Sequence, residues 1–179
     1  MQLVLNVLEI IGEVYITIVL LRFILQLTRA DFYNPISQFV VTATNPLLIP
    51  LRKLIPGWKG FDIASLVLAL LLHMILVCVV KLVPLGHIIP LLGQIFIVSL
   101  IGLLHLVIQF YTFAILILVI ISWVAPGNYH PGSILLHQVT EPLLKPIRNI
   151  MPSAGGLDFS PMILLLLLYV IGSILSGNY

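Results

Sequence analysis

Charge is what this chain has least of. Only 8% of its 179 residues are Asp, Glu, Lys or Arg, against roughly 25% in an ordinary soluble domain. So little charge cannot cover the surface of a water-soluble fold, and disorder, which needs polar and charged residues in excess, is excluded with it. Cysteine is nearly absent too. Cys78 stands alone, so the chain has no internal disulfide and no cysteine cluster for zinc or an iron–sulfur centre, and it reads as a small inert core residue. With 8 Lys+Arg against 6 Asp+Glu and a net charge of +2, the electrostatic footprint of a nucleic-acid binder is missing. Also missing are a basic n-region in the first six residues, after which Glu9 and Glu13 interrupt the apolar stretch, and every common enzyme motif: no nucleophile elbow, no paired zinc histidines, no glycine-rich phosphate loop. The first segment is therefore expected to stay and span rather than be cleaved, no cofactor is implied, and catalysis is not expected.

What is present is apolar surface. Hydrophobic residues make up 61% of the chain and the mean hydropathy is +1.23. They gather in four runs, about 3–28, 63–83, 99–124 and 159–175, each near the ~20 residues a membrane-spanning helix requires. Between the second and third lies Pro84–Val98, apolar but punctuated by Pro84, Gly86, Pro90 and Gly93. That punctuation predicts an interfacial or half-inserted connector.

The chain matches itself at an offset of 96 residues. Residues 45–56 fall without a gap on residues 141–152, aligning Pro46, Pro50 and Pro56 with Pro142, Pro146 and Pro152, and Asp62 falls on Asp158. Upstream, Tyr33, Ser37 and Thr44 fall on Tyr129, Ser133 and Thr140; residues 31–65 carry 12 identities in 35 positions. The first repeat is thus 1–83 and the second 99–179, with 84–98 as the connector. Run one maps on run three, and run two on run four. Most basic residues follow runs one and three: Arg29, Arg52, Lys53 and Lys59, then Lys145 and Arg148. By the positive-inside tendency both basic loops face the cytoplasm and both termini the opposite side. Two spans per repeat make the repeats parallel; a spanning 84–98 would make them inverted.

The basic loops are amphipathic. Asn45 is suited to cap a helix and Pro46 to open it, after which Leu47, Leu48, Leu51, Leu54 and Ile55 share a face opposite Arg52 and Lys53. Leu143, Leu144, Ile147, Ile150 and Met151 repeat this against Lys145, Arg148 and Asn149. Two readings fit segments 35–56 and 131–152: connectors lying on anionic headgroups or re-entering between spans, and elements that gate or dock a partner.

The doubled Asn/Glu-Pro-Leu-Leu-x-Pro-x-Arg-x-x-x-Pro pattern followed by Gly-x-Asp resembles the YggT (YGGT/YlmG) family of small membrane proteins. Residues 31–40 and 157–162 look like its two-repeat proteobacterial branch, and the resemblance covers nearly the whole chain. In one place it departs, since Asp62-Ile-Ala-Ser65 lacks the Ser160-Pro161 of the second copy. The resemblance implies a bacterial inner-membrane protein associated with osmotic-stress tolerance and monovalent-cation homeostasis; other branches are associated with cell division, nucleoid distribution or cytochrome haem assembly.

Ionisable groups inside spans cost about 2.5–3.5 kcal/mol each at the bilayer centre, so they need partners or a purpose. Glu9 and Glu13 share a helical face with Asn6 and Thr17, and the offset sets His105 and Gln109 at the matching positions of run three. Such stripes serve either a cation or proton path or interhelical hydrogen bonding. His73 in run two joins the same set as a core residue; less simply, either His73 or His105 is a haem ligand. His130 and His137 lack a third ligand beside them, so no metal site is expected. Arg22, near the cytoplasmic end of run one, is expected to snorkel to the headgroups. Arg52 and Arg148 each precede an aspartate, Asp62 or Asp158, by ten residues, which predicts a repeated pair pinning each amphipathic helix to the next span.

The expectation is an all-α integral membrane protein: four spans in two parallel tandem repeats, each with a cytoplasmic amphipathic helix. Four spans enclose little volume, so a conduit would form between copies of a homo-oligomer. The rival reading is a non-conducting scaffold recruiting partners through the basic helices.

Overall fold

A computed structural model describes residues 1–57, 60–124, 130–150 and 158–177. Among them the structure is wholly helical: α1 (Gln2–Leu27), α2 (Pro35–Leu54), α3 (Ile63–Val80), a single 3-10 turn (Leu85–His87), α4 (Ile88–Val124), α5 (Pro131–Ile150) and α6 (Ser160–Ser176). Lys59, Tyr129, Met151 and Pro152, all singled out above, lie outside the described residues, as does residue 157 at the start of the 157–162 motif. Three helices, α1, α3 and α4, are long and apolar enough to cross a membrane, and α6 is a shorter apolar helix of 17 residues. The chain is an all-helical membrane protein.

The helix ends follow from local chemistry. α1 and α3 both finish in a left-handed residue, Arg29 at φ 53° and Leu82 at φ 49°. In each case the next amide reaches back five residues, Ala30 N–H to the Leu25 carbonyl at 2.9 Å and Val83 N–H to the Cys78 carbonyl at 3.0 Å, which closes the helix by satisfying carbonyls left without helical donors. α2 starts at Pro35 behind Asn34, whose side chain accepts from Ile36 N–H at 2.9 Å. In α5 the Nδ1 of His130 plays that role, accepting from Gly132 N–H at 3.1 Å.

Two expectations are corrected here. Asn45 and Pro46 do not open the amphipathic helix; it starts eleven residues earlier at Pro35, where segment 35–56 begins, and Pro46 and Pro50 lie inside α2 as Pro142 and Pro146 lie inside α5. The stronger start is Asn34-Pro35, which combines a working cap with proline at the first position. Nor is Pro84–Val98 a separate element beside the third run. After the short turn, Ile88 opens a helix that runs unbroken to Val124, 37 residues or about 55 Å. Pro90 is only its third residue, where an amide has no helical acceptor in any case, and Gly93 costs about 1 kcal/mol without breaking the helix.

α1 packs against α3, and α4 against both α3 and α6. α2 lies across α1 and α3, and α5 across α4 and α6. Two apolar cores result. One joins Ile16, Val19 and Leu20 to Leu48, Leu68 and Leu106; the other joins Leu25 and Val40 to Ile115, Val139, Leu144 and Leu164. The N-terminal ends of α2 and α5 also meet. Asn34 Nδ2 donates to the Pro131 carbonyl at 2.7 Å, and the Asp31 amide donates to Gln138 Oε1 at 2.9 Å. Elsewhere the spans look outward: in each of the three long helices, under 30% of the most apolar window is buried. Only lipid or further protein can cover that surface.

Candidate functional site

At the end of the bundle away from α2 and α5, a cavity of about 270 Å³ opens between α1, α3, α4 and the last turn of α6. Its polar wall is Glu9, Glu13, His73 and His105, with Lys81 and Ser176 also lining it; Leu76, Val77, Val80, Val98 and Leu106 supply the apolar wall. The sequence stripes on α1 and α4 therefore do come together, and His73 joins them. Gly102 makes this possible. The His73 imidazole lies where a Cβ on residue 102 would stand, so only glycine lets the ring settle on the α4 backbone. Both glutamates are half-buried. The Nδ1 atoms of His73 and His105 are buried with no hydrogen-bond partner among the described residues.

A second, more open groove of about 490 Å³ runs along the outside of the α1–α4 seam, lined by Glu13, Thr17 and Gln109 among Ile10, Val14, Ile18, Leu106, Phe110 and Phe113. Glu13 and Leu106 line both spaces. Gln109 is exposed on this outer side and does not reach the first cavity. The hydroxyls along the seam are already used, Thr17 donating to the Glu13 carbonyl and Thr112 to Ile108, each at 2.8 Å. Glu9, Glu13, the two imidazoles and the Gln109 amide remain as groups able to meet a ligand, a proton or a partner. No three or more His, Cys, Asp or Glu among the described residues are grouped to hold a metal ion.

Arg22 does not snorkel. It is 6% exposed, and its Nη1 donates to the Val41 carbonyl at 3.0 Å, Thr44 Oγ1 at 2.6 Å and Asn45 Oδ1 at 2.8 Å. Pro46 has no N–H, so the Thr42 carbonyl lacks its helical donor. The carbonyls on either side of it take donors from α1, Val41 from Arg22 and Ala43 from Tyr15 Oη at 3.2 Å. A guanidinium that finds three acceptors on a neighbouring helix gains more than one that reaches for water. Asn45, read from sequence as a cap, is one of those acceptors. The duplication carried the signal: Arg22 falls on Leu118 and Asn45 on Glu141, so both members of the pair change together between the repeats.

The repeated Arg–Asp pair is present in both copies. Arg52 Nη2 meets Asp62 Oδ2 at 2.5 Å, and Arg148 Nε meets Asp158 Oδ2 at 3.0 Å. Asp62 also caps α3, accepting from the amide and hydroxyl of Ser65. The Asp62 side chain is 3% exposed and that of Asp158 41%. Burial pushes the Asp62 carboxyl up, but hydrogen bonds from Arg52 and Ser65 and the charge of Arg52 outweigh it and hold the carboxyl below its usual range. At Asp158 the weaker push of burial is overcome by hydrogen bonding from Ser160 and by Arg148, again to a lowered value. Arg148 is shared with Glu141 at 2.9 Å. Lys53 and Lys145 stay exposed on α2 and α5, and Pro56 lies just past the end of α2.

A family model described as CCB3/YggT matches residues 1–83 and again residues 97–179. The chain is 48% identical to the uncharacterised protein PA0392 of Pseudomonas aeruginosa, over 96% of this chain and 87% of that one. It is 44% identical to the uncharacterised protein YggT of Escherichia coli K12, over 89% and 81%. A protein from Vibrio alginolyticus is 38% identical over 85% and 82%. No solved structure matches.

Proposed function

Since the chain belongs to the CCB3/YggT family, we propose that it is a multi-pass inner-membrane protein supporting osmotic-stress tolerance and monovalent-cation homeostasis. In this reading it has four spans in two parallel repeats, α1 with α3 and α4 with α6, and α2 and α5 lie at the cytoplasmic face with both ends of the chain on the periplasmic side. The matched bounds support the pairing: α2 and α5 are each 20 residues long and 96 residues apart. Parallel repeats are supported by contacts of like order along α1 and α4, where Ile16 and Leu20 cluster with Leu103 and Leu106, and Leu25 with Ile115 and Leu118.

The observation that carries the cation reading is the cavity in which Glu9 and Glu13 face His73 and His105. Two carboxylates against apolar walls attract a cation and strengthen that attraction by excluding water. The cavity opens away from the basic helices, so a cation arriving from the periplasmic side meets the carboxylates first. The test is potassium and sodium flux into liposomes holding the purified protein, with Glu13→Gln beside the wild type. Selective or saturable flux, reduced by the substitution, is expected. Folded protein that passes neither ion, with or without an osmotic gradient, overturns the reading.

The exposed Lys53 and Lys145 favour a second reading, in which α2 and α5 are a docking face for a cytoplasmic partner and the chain is a non-conducting scaffold for division or assembly proteins. A stable partner bound through these lysines, together with absent flux, would select it.

A further inference from the structure

We propose that the outer groove between α1 and α4 is the contact surface for a second copy of this chain, and that Glu13 of one copy pairs with Gln109 of the other, twice, about a two-fold axis along the membrane normal. The argument starts from solvation. Glu13 and Gln109 lie near the middle of α1 and of the apolar part of α4, and both line a groove that opens sideways. Neither the carboxyl nor the carboxamide has a hydrogen bond within the chain among the described residues, whereas Thr17 and Thr112 beside them are satisfied by their own helix. Lipid tails offer no donor or acceptor, so an amide left facing them draws another polar group across a helix interface.

The two groups complement each other. A carboxamide both donates and accepts, so it can bond a carboxyl in either protonation state. They also stand on adjacent helices that run in the same direction, one on each side of the groove. Rotating a second copy by half a turn brings α1 of one against α4 of the other, and the same pair forms twice, as a self-complementary two-fold interface requires. The groove walls suit this contact: Phe113 is 57% exposed, Ile10 61% and Val14 56%, which gives apolar packing around the polar pair. In the resulting dimer two carboxyls and two carboxamides form a ring at mid-membrane, next to the cavity that Glu13 also lines. The inference rests on the membrane-embedded reading of α1 and α4 and stands apart from ion flux.

Cross-linking between differently tagged copies tests it. In full-length protein carrying Cys78→Ser, Glu13→Cys in one copy and Gln109→Cys in the other should form an intermolecular disulfide in vesicles. The same reaction with Leu166→Cys, on the exposed face of α6, should not. Energy transfer between labelled copies in vesicles gives the second measurement: Gln109→Leu should weaken self-association at least tenfold, and Gln109→Asn should restore part of it. A disulfide yield no higher than the Leu166→Cys control, or self-association unchanged by Gln109→Leu, overturns the proposal.

Discussion

Leu76 of α3 occupies the space that a side chain on Gly12 of α1 would need: a Cβ there would stand 2.6 Å from Leu76 Cδ1 and 3.3 Å from Cγ. Ninety-six residues on, the sizes are exchanged. Ile108 stands on α4 in place of Gly12, and Gly172 on α6 in place of Leu76, where a Cβ would find Ile108 Cγ2 at an ordinary 3.6 Å. Small residues let spanning helices approach closely, and here each pair of helices uses one glycine, placed on opposite partners. Gly12→Ala should therefore destabilise by about 1–3 kcal/mol through overpacking, while Gly172→Ala should be close to neutral. Thermal unfolding in detergent micelles separates the two, and Leu76→Ala added to Gly12→Ala should recover part of the loss.

The bonds from Arg22 tie α1 to the proline-bearing stretch of α2. Replacing it by leucine, the residue at the matching place in the second repeat, strips Thr44, Asn45 and the Val41 carbonyl of a charged donor. The expected cost is about 1.5–3 kcal/mol. Arg22→Lys should recover only part of it, because an ammonium is a compact point charge without the planar fork. Protease sensitivity between α1 and α2, compared across the wild type and both variants, reads this directly.

Asp62 and Asp158 make the same kind of pair at different depths, so they should answer mutation and pH differently. Asp62→Asn breaks a bond to a nearly buried carboxylate and should cost about 1.5–3 kcal/mol. Asp158→Asn touches a solvated pair and should cost about 0–1 kcal/mol. For pH the sign follows from the lowered carboxyl values. A group whose value is depressed by folding stabilises the fold above its unfolded value, near 3.8, and that stabilisation disappears as pH falls through the folded value. The part of the melting temperature that these pairs supply, read as the difference between wild type and Asp62→Asn, should thus be full at pH 7 and shrink below about pH 4. An Asp62→Asn curve parallel to the wild type would deny the pair this role.

The proposed sidedness sets the cavity and the basic helices on opposite faces of the membrane. In a Cys78→Ser background, Ser176→Cys should react with a membrane-impermeant maleimide added to intact spheroplasts. Lys53→Cys and Lys145→Cys should react only after permeabilisation. The reverse pattern would invert the proposed topology.

Much of this architecture was legible because lipid imposes simple rules. Run one, 3–28, is α1 at 2–27 within a residue, and run four, 159–175, is α6 at 160–176. The Arg52–Asp62 and Arg148–Asp158 pairs could be read from an equal spacing repeated in both copies. Proline misled at two places for one reason. Its effect depends on its position in a helix and on what packs beside it, and neither is visible locally: Pro90 is harmless as a third residue, and Pro46 lies where Arg22 and Tyr15 reach the carbonyls beside the freed one from another helix. Gly102 was silent in sequence, since a glycine shows nothing of the imidazole that will rest on it. Gln109 was grouped with the glutamates because helical periodicity gives a face but not which neighbour covers it.

The unbroken α4 has a mechanical consequence. Its first ten residues precede Val98, the position matching Gln2 at the start of α1, and they follow α3 after only the short turn of residues 81–87. A rod of about 55 Å exceeds the ~30 Å hydrocarbon layer, so it must lean or project beyond it. Because α4 packs against α1, α3, α5 and α6, any change in its lean is felt at each of those contacts. A bilayer of different thickness would change how much of that rod is left uncovered.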